Sequence, residues 1–338
     1  MAKSNGNPRV VHLFDCADVG ATLVRAARSQ GQQWSYLPAR DTAYDGADLL
    51  GRTNRLRGVA GWTARRWQLT LPADLLHIHF GTRVDIATRW PRRPFVVHFH
   101  GTDIREFYQD PRQRQRIQWG ADNSQAVFYA TPDLAEYALA ARSDARYLPN
   151  PVDLAELPRW QPAPEPRIVF ASRWGAAKGG TEQLELAAKL ARAVQGTCIR
   201  LQGLDWGENA AKAAELGVEL VPVMSKPAYL QWLAKAHTVV GQSTGLLGMS
   251  ELQALAIGVP TASNVRPGLY PGTVPVVGTG SLGEQVDSIV AAAKDAREVS
   301  AGLGARAWVI EHHDPDRIVR ELSAVYSSLS GSADGLKR

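Results

Sequence analysis

With 338 residues, 45% of them hydrophobic and 21% charged, the chain has the composition of a soluble globular protein long enough for about two domains, which excludes a disordered or fibrous polypeptide. Cys16 and Cys198 stand far apart with no CxxC pair or histidine-rich neighbourhood, so neither a disulfide framework nor a zinc motif follows, and a reducing cytoplasm is the expected location. The net charge of +5 is unevenly placed: residues 1–150 hold 20 Lys or Arg against 14 Asp or Glu, and the remainder 18 against 19.

The opening stretch MAKSNGNPRVVHLFD lacks the apolar core of a signal peptide, and nowhere do about 18 apolar residues run together as a membrane span requires. Short apolar runs then alternate with helical patterns. The predicted strands are RVVHLF, WSYLP, LLHIHF, FVVHFH, AVFYAT and ARYLP in the first half. Between them lie GRTNRLRGVAGWTARRWQL, RWPRRP and DPRQRQRIQW, where arginines accompany Trp62, Trp67, Trp90 and Trp119. Such segments suit an anionic membrane surface, a phosphorylated acceptor or nucleic acid; a plain solvated face is the alternative. After LPRWQPAPEPR come RIVFAS, CIRLQG, VELVPV, TVVGQ, TASN and TVPVV, with amphipathic helices over 182–195 and 226–237. This order predicts parallel sheets covered by helices, in an α/β chain of two Rossmann-like domains, 1–156 and 168–311, joined by a linker over 157–167.

Ligands of open parallel sheets collect at the carboxyl ends of strands. Three polar or glycine-rich segments fall there: HFHGTDIR (98–105), SRWGAAKGG (172–180) and GQSTGLLGMS (241–250). In the last, glycines leave backbone N–H groups open to an anion, and the apolar-periodic run that follows makes a helix with a partly positive start. Arg173 and Lys178 add two full charges on a loop after a strand. Ordinary turns and a surface loop are the alternative reading of these features.

Together these segments resemble the GT-B fold glycosyltransferases, in particular the large retaining group of sucrose and glycogen synthases and bacterial mannosyl- and glucosyltransferases. The resemblance rests on LLHIHF with FVVHFHGTD, on YLPNPVD, on ASRWGAAKGG and on LQALAIGVPTAS, in order and over nearly the whole chain. It implies two domains facing a central cleft, an acceptor on the first, a nucleoside diphosphate sugar on the second, and terminal helices (312–338) that cross back to the first domain. It also implies roles: His100, Arg173 and Lys178 at the reaction; Gly245, Leu246, Leu247, Gly248, Gln253, Asp103 and Val223 around the donor; Asp15, Asp18 and Gly20 on the acceptor side. No metal ligand and no cofactor beyond the donor is expected. His98 and His100 are read as facing opposite sides of their strand, with only His100 reaching the ligand, and His77 and His79 as structural.

Two departures stand out. The family carries two glutamates eight positions apart, and here Gly245 and Gln253 fall on those places. Glu251 is near, but two residues away on a helix it faces another direction. Ser250 and Gln253 also form an S-x-x-Q capping pair, and Asp18 is placed as the cap of the first helix in preference to acceptor binding. The reading that follows is a metal-independent, retaining glycosyltransferase with an unidentified acceptor (glycan, lipid-linked, protein or nucleic acid), cytoplasmic and in peripheral contact with an anionic membrane. The alternatives are a lapsed nucleotide-sugar-binding partner protein and a nucleic-acid-binding or -modifying protein.

Overall fold

The computed structural model describes residues 7–42 and 49–332, which form two units: Met1–Pro151 with Pro315–Arg338, and Val152–Asp314. In the first, β1 (Val10–Leu13), β2 (Trp34–Leu37), β3 (Leu75–His79), β4 (Phe95–Phe99), β5 (Val127–Tyr129) and β6 (Arg146–Tyr147) make one parallel sheet in the order β2-β1-β3-β4-β5-β6. Its strands are apolar runs because helices cover both faces. The helix Pro315–Ser332 belongs to this unit and buries Ile318, Val319, Leu322 and Tyr326 completely, packing beside the helix Val19–Ser29.

The second unit carries β7 (Arg167–Phe170), β8 (Arg200–Leu204), β9 (Glu219–Val221), β10 (Thr238–Val240) and β11 (Thr261–Ala262), all parallel, in the order β11-β10-β7-β8-β9. TVPVV forms no strand: only Val277 bridges to Ala262, and Pro275 has no N–H for a ladder. The expected linker is not free either. Residues 157–167 lie within the second unit, where the Trp160 indole donates to the Ala236 carbonyl (2.9 Å) and Gln161 and Ala163 bond the Ala234 and Lys235 carbonyls. The units part earlier, at Val152, because Val152 packs with Leu247, Leu252 and Trp308. Among the described residues, no helix is long and apolar enough to cross a membrane.

Candidate functional site

In the second sheet the strand order reverses between β7 and β10, so the loops leaving those strands diverge from a crevice at their carboxyl ends. The two loops are locked together. Ser243 N donates to the Lys178 carbonyl (3.0 Å), and Gly179, at φ +79°, lies so close that a Cβ there would stand 2.8 Å from Ser243 Cβ. Lys178 Nζ donates to Gln242 Oε1 at 3.0 Å. Gln242 N in turn donates to the carboxylate of Glu251 (2.6 Å), which also accepts from Gly248 N (2.9 Å). Gln242 and Glu251 are buried; the sequence does not point to Gln242, and the reading of Glu251 as facing elsewhere on its helix misses this role. Arg173 is exposed, its guanidinium 5.9 Å from the Trp206 ring.

Several donor-side expectations change here. Glu251, at the third position of the helix Met249–Ile257, closes the helix start at Gly248, so Ser250 and Gln253 do not form the cap and the half-buried Gln253 amide takes no part in it. Leu246 and Leu247 are buried, and the Leu247 amide is taken by the Tyr270 hydroxyl (2.9 Å). The first intrahelical bond runs from Leu252 N to the Gly248 carbonyl, so the first-turn amides of Met249, Ser250 and Glu251 have no partner within the helix. Gly245 has φ +77°, and a Cβ there would meet Arg266 Cγ at 2.7 Å, so an arginine stem sits where the resembled family has an acid. Val223 lies beyond β9 and is exposed, outside this network.

The first unit holds an unexpected cluster. His12, His77, His79, His98 and His100 share one face of adjacent strands, because residues two apart on a strand point the same way; the reading of His98 and His100 as opposed is corrected by rings 4.2 Å apart. Register brings His12 beside His77 and His79 beside His98. His12 Nδ1 lies 3.1 Å from His79 Nε2, and His79 Nδ1 lies 3.0 Å from His100 Nε2. His100 therefore keeps only Nδ1 for other partners. His77 Nδ1 meets the Tyr326 hydroxyl at 2.5 Å.

Asp103 is fully buried and accepts the backbone N–H groups of Gly81, His100, Gly101 and Ile104, which makes it a brace for the β4 loop instead of a donor contact. At β1 the capping roles are exchanged. Asp15 accepts from the amides of Cys16, Gly20 and Ala21, whereas Asp18, at φ +61°, makes no side-chain cap bond. Gly20 is buried, and a Cβ there would stand 3.0 Å from His79 Nε2.

Burial lowers the His12 and His100 pKa values to about 3 and those of His77, His79 and His98 well below 6.5. Unfolded rings take up protons below about pH 6.5 while the buried ones do not, so the unfolded state binds more protons and stability falls as pH drops. Each ring contributes up to about 1.4 kcal/mol per pH unit. Urea unfolding in chelator-containing buffer from pH 7 to 4 is expected to show this decline, with a shallower slope for His12→Phe.

A cavity of about 470 Å³ in the first unit is lined by Phe14, Trp62, Arg40, Arg83, Arg89 and Asp85, among others. A second, of about 540 Å³, lies at the amino ends of β8 and β9 around Arg200 and Glu219, at the end of the sheet away from the Arg173–Lys178 loop.

Residues 38–156 match the family model described as Glycosyltransferase Family 4. No curated protein matches the sequence. Among solved structures the chain is similar to sucrose-phosphate synthase from Thermosynechococcus elongatus (14% identity, 96% of this chain and 100% of that one, TM-score 0.68). It is also similar to HepE of Anabaena in complex with UDP and glucose (13%, 95% and 100%, 0.63) and to S. aureus TarM in complex with UDP (14%, 76% and 55%, 0.58). Two Rossmann-like units, each a parallel sheet between helices, and a Glycosyltransferase Family 4 match across the first of them make this a chain of the GT-B glycosyltransferase fold.

Proposed function

We propose that the chain transfers a sugar from a uridine diphosphate sugar, held by the second unit, to an acceptor held by the first. The observation that carries this reading is the locked pair of loops at the β7/β10 crevice, which ties Lys178 to the loop leading into the helix Met249–Ile257, with the exposed Arg173 on the same β7 loop as Lys178. Two cations there balance the charge that grows on the leaving diphosphate. The acceptor oxygen bonds to the anomeric carbon as its bond to the diphosphate breaks, and the acceptor's proton passes to the departing phosphate oxygen on the same face. Configuration is retained and no protein base is required. The arginine-lined cavity of the first unit suits an anionic acceptor. Leu56, Val59 and Trp67, exposed among Arg52, Arg55 and Arg57, suit peripheral contact with an anionic membrane.

One observation favours a second reading, binding without turnover: Gly245 supplies no acid, and Glu251 puts a carboxylate on an amide where a phosphate would seek one. Incubation with a panel of UDP-sugars separates the two. Slow release of UDP, unchanged by added magnesium or manganese, is the expected result. UDP binding without any release supports the second reading, and the absence of UDP binding refutes both. Gly245→Glu forces a side chain into a left-handed position and against Arg266, at a conformational cost of about 1–2 kcal/mol. With the native donor it is expected to lower kcat roughly tenfold, a step of about 1.4 kcal/mol in the barrier, while UDP affinity measured by calorimetry stays near wild type.

A further inference from the structure

We propose that His79, His98 and His100 form a binding site for a zinc-class divalent metal ion, with an oxygen ligand completing the coordination from the His100 side. The three rings come from the ends of β3 and β4, on one face of a rigid parallel sheet, and each offers a nitrogen such that the three atoms lie within 4.8 Å of one another. His79 Nδ1 and His100 Nε2 are 3.0 Å apart. Imidazole nitrogens bound to tetrahedral zinc at 2.0–2.1 Å stand about 3.3 Å apart, so an ion fits between these two after a shift of a few tenths of an ångström.

His98 supplies the independent sign. Its ring is fully buried, yet neither nitrogen makes a hydrogen bond of normal geometry; the Leu148 backbone alone favours its protonated form, and more weakly than burial opposes it. A buried polar atom without a partner is rare and unfavourable, and a metal bond satisfies it. Burial also keeps all three rings neutral near pH 7, the form that ligates.

The surroundings hold the ligands in place as metal sites do. His79 has its other nitrogen on His12 Nδ1 at 3.1 Å, Gly20 leaves room for its ring, and Asp103 holds the His100 amide at 3.0 Å. The neighbouring group His12, His77 and His79 has comparable spacing but is closed: Trp34 stacks on His12 at 5.1 Å, and the Tyr326 hydroxyl occupies His77 Nδ1. Only the group containing the half-buried His100 has an edge through which an ion can enter.

The test uses the full chain without a histidine tag, stripped with chelator and titrated with cobalt(II). One equivalent is expected to bind with the visible absorption of a four- or five-coordinate ion, and zinc should displace it. His98→Gln and His100→Gln should each weaken cobalt binding more than about tenfold, whereas His77→Asn should keep the band. A folded wild-type chain that gives no band overturns the site, as does a band that survives both His98→Gln and His100→Gln, or one lost in His77→Asn alone. Should the variants fail to fold, X-ray absorption on the wild-type zinc form decides: three imidazoles at about 2.0–2.1 Å are expected, and fewer than three refute the proposal.

Discussion

Arg173→Ala is expected to lower kcat with a UDP-sugar by about 100- to 1000-fold, the scale for removing one donor that meets charge developing in the transition state. The side chain is exposed, with its guanidinium over the Trp206 ring and close enough to Glu208 to stabilise that carboxylate, so the substitution should leave stability within about 0.5 kcal/mol. Lys178→Ala should cost at least as much activity, because Lys178 also ties Gln242 to its loop. Steady-state kinetics and melting curves on both variants check this. Wild-type turnover in both would remove the cationic clamp from the reading, and partial recovery in Arg173→Lys would support charge as its contribution.

Asp103→Ala should act on stability first. Four backbone N–H groups, from Gly81, His100, Gly101 and Ile104, lose their acceptor inside the protein, where each orphaned donor carries a penalty of about 1–3 kcal/mol before relaxation. A loss of about 3–5 kcal/mol is expected by urea unfolding, enough to leave much of the chain unfolded at moderate temperature. A variant that folds as well as the wild type and loses only donor affinity would restore Asp103 to the binding residues.

The two-sheet architecture was legible because strands buried on both faces must be continuous apolar runs, and RVVHLF, FVVHFH, RIVFAS and TVVGQ are such runs bounded by polar loops. The loops carrying Arg173 and Lys178 could be placed at strand ends for the same reason. Lateral register was not legible. Nothing along the chain says that His12 will stand beside His77 or His79 beside His98. The shared side of His98 and His100 was available from the two-residue period of a strand and was misjudged. Glu251 was discounted because it faces away from Gln253 on their helix. What the sequence could not display is the loop folding back, so that the carboxylate reaches Gln242 N and Gly248 N. The glycines around it leave space that no spacing rule reports: a Cβ at Gly241 would stand 2.5 Å from the Glu251 side chain.

The helix Pro315–Ser332 imposes an order of events on synthesis. Its Tyr326 lies against Trp34 and His12 and bonds His77, so one face of the first sheet is left without its cover until the chain has passed through the whole of Val152–Asp314. At about 5–20 residues per second that delay is on the order of 10 s. The second unit is continuous and can complete itself in that interval, while the amino-terminal unit waits with its histidine-bearing face open. In the growing polypeptide, the part made first is therefore the part finished last.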